Sequence, residues 1–168
     1  MNAFIKNLKI LCFIIAGTSS FLKADVSIEF IDIENYRDIE SGIITTDNER
    51  EVIMDAITKT FQKTAKKYLP EGYNLSVSIN DIDLAGDVEL AAMRGRDYRI
   101  LTDIYPPRIK FHYEIRDNSD AIVLDSDAYL KDLAYMTSIP FIMRDEPAIF
   151  VSQLVKNWGR RTLRSLEG

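Results

Sequence analysis

Apolar and polar residues alternate strictly from Asp25 onward, with Val26, Ile28 and Phe30 on one side and Ser27 and Glu29 on the other. A period of two marks a strand buried on one face. The period changes after Thr46-Asp-Asn-Glu49, which has the form of a capping box. Beyond it Val52, Ile53, Ala56, Ile57, Thr60, Phe61 and Tyr68 recur at helical spacing, and Pro70-Glu-Gly72 supplies the stop. Arg50, Asp55, Lys59, Lys63 and Lys66 lie off that stripe and read as a solvated face.

Alternation returns at Leu75, Val77 and Ile79, and again at Ile109, Phe111, Tyr113 and Ile115. A further strand runs from Ile122 to about Lys131, after the turn residues Asp117-Asn-Ser-Asp120. A two-residue loop at Asn118-Ser119 would set Lys110 opposite Asp127, His112 opposite Asp125, and Tyr113 opposite Leu124. Asp145-Glu-Pro147 reads as the opening of a last helix, with Phe150, Val151, Leu154, Val155 and Trp158 as its buried stripe. Arg160, Arg161 and Arg164 close it, where positive charge complements the helix dipole. The predicted class is α+β: a two-layer sandwich with a mostly antiparallel sheet of four or five strands and two amphipathic helices on one face. The element order is β-α-β-(β)-β-β-α. The connection before Arg108 is too long for structureless chain, so Tyr98 to Leu101 is predicted as a short strand and Glu89 to Met93 as a helical turn.

The N-terminal segment obeys neither period. Lys6 and Lys9 precede an uncharged run from Ile10 to Leu22. That run falls short of the roughly 20 residues of a spanning helix and suits the roughly 7–15 of a signal sequence. Residues 1–24 are therefore expected to be a cleavable signal peptide and 25–168 a single domain; an uncleaved anchor is the alternative. Cys12 sits mid-run without a small residue before it, so lipidation there is not expected. The expected location is the periplasm, with no membrane span once the signal is removed.

The formal charge is −5, and the first 24 residues carry three lysines and no acid, which makes the remainder −8. Such a chain repels nucleic acid backbones, and no nucleic acid partner is expected. Its one cysteine lies in the signal segment and it has one histidine, so thiolate-based zinc sites and disulfides are excluded from the domain. No P-loop or G-x-G-x-x-G occurs, and no cofactor is expected.

The stretch NDIDLAGDVE, residues 80–89, is the densest acidic run near a glycine. Set against a calcium loop, Asp81, Asp83 and Gly86 fall at positions 1, 3 and 6, but Ala85 and Ala92 occupy positions 5 and 12. The bidentate ligand is missing. Asp81 and Asp83 share one side of an extended chain, which permits a hydrolytic carboxylate pair without arguing for one. The more informative feature is a change of phase. Leu75, Val77 and Ile79 are odd, whereas Ile82 and Leu84 are even, so a bulge or strand end is predicted near Asn80-Asp81. The carboxylates then become rim groups with Arg94, Arg96 or Arg99 as their expected partners. His112 is expected to pair across the sheet with Asp125, since no G-x-S-x-G or thiol accompanies it.

INDIDLAGDVE, RILTDIYPPRIKFHYEIRD, AYLKDLAYM and the terminal WGRRT together resemble a bacterial exported family known as domain of unknown function 3016, beginning at VSIEFIDIENYRDI. The resemblance implies a small signal-bearing protein of Gram-negative bacteria. It implies no activity and carries over no catalytic residue. The functional expectation is a non-catalytic binding or accessory domain of the cell envelope, engaging an envelope protein or small ligand. Its contact surface is expected around Asp81, Asp83, Asp87, Arg94, Arg96, Tyr98 and Tyr105, since loops held on a sheet commonly carry recognition. The alternatives are a hydrolase using Asp81 and Asp83, or a weak divalent-cation site there.

Overall fold

The computed structural model describes residues 25–40, 46–89, 98–140, 146 and 148–167. Residues 1–24, expected to be a signal peptide, the expected Glu89–Met93 turn beyond Glu89, and Arg94, Arg96, Asp145 and Pro147 lie outside these residues. Strand β1 (Val26–Phe30) leads through a short 3-10 turn and the one-turn helix α1 (Arg37–Glu40) to the long helix α2 (Asp47–Tyr68). Then come β2 (Asn74–Asp83), β3 (Asp87–Glu89), β4 (Tyr98–Ile100), β5 (Arg108–Arg116) and β6 (Ile122–Lys131). Helices α3 (Tyr135–Ser138) and α4 (Ile149–Thr162) follow, and a 3-10 turn at Arg164–Glu167 comes last.

Four strands form one sheet in the order β1-β2-β5-β6. β2, β5 and β6 are antiparallel neighbours, while β1 runs parallel to β2 with α2 as the crossover. β3 and β4 pair with each other outside this sheet, so the predicted short strand at Tyr98 exists but in a separate ribbon. The fold is α+β as the periodicity indicates.

Both long helices cover one face of the sheet. Phe61 of α2, Phe111 and Tyr113 of β5, and Trp158 of α4 meet edge to face or tilted, with ring centroids 5.0–5.9 Å apart. Such contacts add to the area the rings bury. Ile57, Ala65, Leu75, Ile79, Ile109, Ile115, Val151 and Val155 complete that core. Thr60 Oγ donates to the Ala56 carbonyl at 2.8 Å and lies 3.1 Å from Ser152 Oγ, which keeps a polar contact between the helices satisfied. A smaller cluster of Ala85, Tyr135, Ile139 and Phe150 packs with Leu101, Met136 and Ile149. The Tyr135 hydroxyl donates to the Thr102 carbonyl at 2.6 Å.

The α2 cap is the expected one: Glu49 N donates to Thr46 Oγ1 at 3.2 Å and Thr46 N to Glu49 Oε2 at 3.2 Å. Val52, assigned to the buried stripe by spacing, is 43% exposed, because the face of α2 that meets the sheet is centred on Ile53, Ile57 and Phe61. Helix α4 begins at Ile149, later than the proline signal indicates, with Ala148 at the cap and no side-chain cap bond.

The β5–β6 hairpin corrects the expected register by two residues. His112 is opposite Asp127, Lys110 opposite Tyr129, and Tyr113 opposite Ser126. Asp120 adopts φ 64° at the end of a three-residue loop, which moves the register by one residue; the irregularity between Ile115 and Arg116, whose partners Leu124 and Ile122 skip Val123, moves it by the second. Asp117 Oδ1 accepts from Ser119 N, Ser119 Oγ and Ala121 N at 2.6–3.1 Å, which fixes that longer loop.

Candidate functional site

The bulge lies where the phase change places it. The β2–β5 register shifts between Ile79 and Asp81, leaving Asn80 as the extra residue. Ile31 N and the Tyr36 hydroxyl both donate to the Ile79 carbonyl, at 2.8 and 2.6 Å, and pin the chain at that point. Past the bulge Ile82 faces the core opposite Ile109, and Asp81 and Asp83 turn to the other face beside Lys110 and Arg108.

There the two carboxylates meet cations. Asp83, 7% exposed, is bound by the Arg108 guanidinium and lies 3.3 Å from Arg37 Nε. Asp81 Oδ2 is 3.6 Å from Lys110 Nζ, and its Oδ1 accepts from Arg37 N at 3.1 Å. Among the described residues Arg37, Arg108 and Lys110 hold the pair; of the expected partners, Arg94 and Arg96 lie outside the described residues, and Arg99 serves a different acid. That acid is Asp38, 1% exposed, whose Oδ2 accepts from Leu84 N at 2.6 Å and lies 3.7 Å from Arg99 Nη2. Burial pushes the Asp38 carboxyl up to about 6 against the pull of Arg99 and the Leu84 amide, and Asp83 and Asp81 raise it further. Arg99 also donates to the Ala85 carbonyl at 3.2 Å.

Gly86 turns the chain from β2 into β3 at φ 84°, where a Cβ would meet the Ile100 carbonyl oxygen at 2.5 Å. Its N–H donates to the Tyr105 carbonyl at 2.9 Å. Asp87 follows in β3 opposite Ile100, and Tyr98 stands in β4 opposite Glu89. Tyr105 is 41% exposed, and its neighbour Ile104 is 71% exposed. The structure thus brings Asp81 and Asp83 together on the sheet face and sets Asp87, Tyr98 and Tyr105 on the adjoining ribbon and loop.

Two hollows are formed among the described residues, and neither is lined by Asp81 or Asp83. A cavity of about 20 Å³ borders Asp38 and is lined chiefly by Ile33, Tyr36, Ile53, Met54 and Ile82; that is room for roughly one water. The larger hollow, about 440 Å³, is an open groove between Phe30, Ile33 and the first turns of α2. It does not include Asp81 or Asp83. Among the described residues no group of three or more His, Cys, Asp or Glu side chains is arranged to hold a metal ion.

His112 stands opposite Ser78 on β2 and Asp127 on β6, which superficially resembles a catalytic triad. Its Nδ1 lies 3.0 Å from Asp127 and its Nε2 3.2 Å from Asp125. Both ring nitrogens face carboxylates, so neither is directed at the serine hydroxyl as a general base.

Asp38 and Tyr36 were invisible to periodicity. They lie in IDIENYRDI, which has neither a helical nor a strand pattern, and their partners are more than forty residues away. The only sequence signal for Asp38 is indirect: it lies within the stretch by which the chain resembles its family.

The fold and this rim define a two-layer α+β domain whose acidic strand end is neutralised by arginine and lysine from α1 and β5. The chain belongs to the family described as protein of unknown function (DUF3016), whose profile matches residues 24–161. No curated protein matches it. Among solved structures it is similar to a PelC dodecamer from Paraburkholderia phytofirmans, at 13% identity, 82% of each chain and a TM-score of 0.36. A protein assigned as a lipoprotein from Caulobacter crescentus gives 12% identity, 84% of this chain and 86% of that one, and a TM-score of 0.38. A minor lipoprotein from Acinetobacter baumannii gives 6% identity, 87% and 92%, and 0.32. These scores are low, so the functional reading rests on this chain's own residues. Among the described residues no helix is long and apolar enough to cross a membrane.

Proposed function

We propose that this protein is an exported, non-catalytic binding domain of the bacterial cell envelope, released into the periplasm by cleavage of residues 1–24. It engages an envelope protein through the end of the sheet where β2 gives way to the β3–β4 ribbon and the loop before β5. The observation that carries this reading is the contrast at that end between neutralised charge and exposed apolar surface. Asp81 and Asp83 are committed to Arg37, Arg108 and Lys110. Ile100, Ile104 and Tyr105 are 39%, 71% and 41% exposed, and Leu133, just past the end of β6, is 71% exposed. Exposed apolar side chains rimmed by polar groups mark interaction surfaces. Asp87 in β3 adds a polar group beside them, and Arg94, Arg96 and Tyr98 are proposed as further contacts on the strength of their place in the sequence between or within β3 and β4.

Hydrolysis by Asp81 and Asp83 has less support, because a carboxylate held by a guanidinium is a poor general acid. The test is site-specific photocrosslinking in living cells. A photoreactive residue at Ile104 should give a discrete adduct in the periplasmic or envelope fraction, and one at Lys63 on α2 should not. Equal labelling at both positions, or recovery of the protein in the cytoplasm, would overturn the proposal.

A further inference from the structure

β6 is a ten-residue edge strand, and the direction of its backbone groups follows from its neighbours. Leu75 N donates to the Asp25 carbonyl and Ile31 N to the Ile79 carbonyl, so odd-numbered residues of β2 before the bulge turn their backbone toward β1. The even-numbered ones face β5, where Ser76 meets Glu114 and Ser78 meets His112. Backbone direction alternates along a strand, which leaves Ile109, Phe111, Tyr113 and Ile115 to bond β6 through Leu130, Ala128, Ser126 and Leu124. The N–H and C=O groups of Asp125, Asp127, Tyr129 and Lys131 therefore point away from the sheet, along an open edge. Among the described residues no backbone group pairs with them. The one approach is Ser126 Oγ, 3.5 Å from the Asp127 carbonyl.

Edge strands invite pairing with another chain, and proteins deter it with charges, prolines or bulges. β6 has no proline, and its only irregularity lies at the far end, near Ile122. Its charges are arranged so that one register satisfies them. We infer that β6 pairs antiparallel with β6 of a second copy of this chain, about a twofold axis at Ala128, joining two four-stranded sheets into one of eight.

Only registers that oppose outward residues to outward residues form hydrogen bonds. Centring on Asp127 would put two like charges face to face, and centring on Tyr129 would oppose Asp125 to Leu133. Centred on Ala128, Asp125 meets Lys131 of the second copy and Asp127 meets Tyr129, each twice by symmetry. All four outward residues are then paired. On the helix-facing side Leu124, Ala128 and Leu130 are only half-buried within one chain, and the second sheet continues that apolar layer.

The test uses the full chain carrying Cys12→Ser, which removes its only cysteine. Ala128→Cys then places two thiols across the axis in a pair without hydrogen bonds, where strands approach within disulfide reach. It should form a covalent dimer under mild oxidation, whereas Ser126→Cys, opposite Leu130, should not. Sedimentation should show a dimer that Lys131→Glu weakens roughly tenfold, since each of two charge pairs turns from attraction to repulsion. Adding Asp125→Lys should restore it. A monomer at all concentrations, equal cross-linking at both cysteine positions, or no rescue by the charge swap would overturn the inference.

Discussion

The carboxylate of Asp38 on α1 accepts a hydrogen bond from the amide of Leu84 at the end of β2, across 2.6 Å and with 1% of the residue exposed. This contact ties the segment after β1 to the strand end past the bulge, and it does so with a group whose charged form is costly to bury. Because burial raises the Asp38 pKa from 3.8 to about 6, the folded state binds this proton more tightly than the unfolded chain does. The stability it contributes is fully present below the unfolded value and is lost as pH rises through about 6. Chemical denaturation at pH 7.5 and pH 5.0 should therefore show wild type gaining about 1.4 kcal/mol relative to Asp38→Asn on acidification. A constant difference between the two proteins would contradict this account.

Asp83 is a second buried carboxylate, and its compensation is local. Arg108→Leu removes the guanidinium that binds it and leaves only the exposed Arg37 nearby. An uncompensated buried charge costs several kcal/mol, and the residual Arg37 contact reduces this to about 2 kcal/mol. Asp83→Asn in the same background should return most of that loss. Urea unfolding of the two single variants and the double variant measures the coupling directly.

How much of this rim was legible in the sequence depends on whether a residue's environment is set by its neighbours along the chain. The bulge at Asn80 was legible because the parity of apolar residues must flip where the strand breaks register, and Thr46 and Glu49 announced their own cap. The hairpin register was not, because it turned on Asp120 accepting a left-handed conformation, which lengthens the loop by one residue, and on an irregularity that skips Val123 and adds the second. Arg99 was misassigned as a partner of Asp81 and Asp83 for a related reason. Arg99 is near in sequence, but cross-strand pairing brings Arg108 and Lys110 to these acids instead. Asp38 gave no signal in periodicity or motif, since its burial is created by β2 and the β4 arginine folding over it.

Helix α4 packs against α2 at Gly159. A Cβ there would overlap the Thr64 methyl group, with Leu163 Cδ1 at 3.6 Å behind it. Alanine gains roughly 1 kcal/mol of helix propensity over glycine, but forcing buried groups apart costs about 1–3 kcal/mol. Gly159→Ala should accordingly lower the melting temperature by a few degrees. Thr64→Ser, which removes the obstructing methyl, should recover part of the loss in the double variant. A stabilised Gly159→Ala protein would show that the helices separate without cost.

The acidic stretch makes a final prediction about divalent cations. A metal at Asp81 and Asp83 would have to displace Arg108, Arg37 and Lys110, whose charges are already in place and fixed by the sheet. The nearest further carboxylate, Asp38, is engaged with Leu84 and Arg99. Calcium, magnesium or zinc at millimolar concentration should leave the melting temperature within about 1 °C of the metal-free value, because only a ligand that binds the folded state raises it. The Arg108→Leu variant provides the internal contrast. With the guanidinium gone, Asp83 is a buried anion in need of charge, and the same cations should raise that variant's melting temperature. A clear stabilisation of wild type would instead restore the metal site that the loop's spacing argues against.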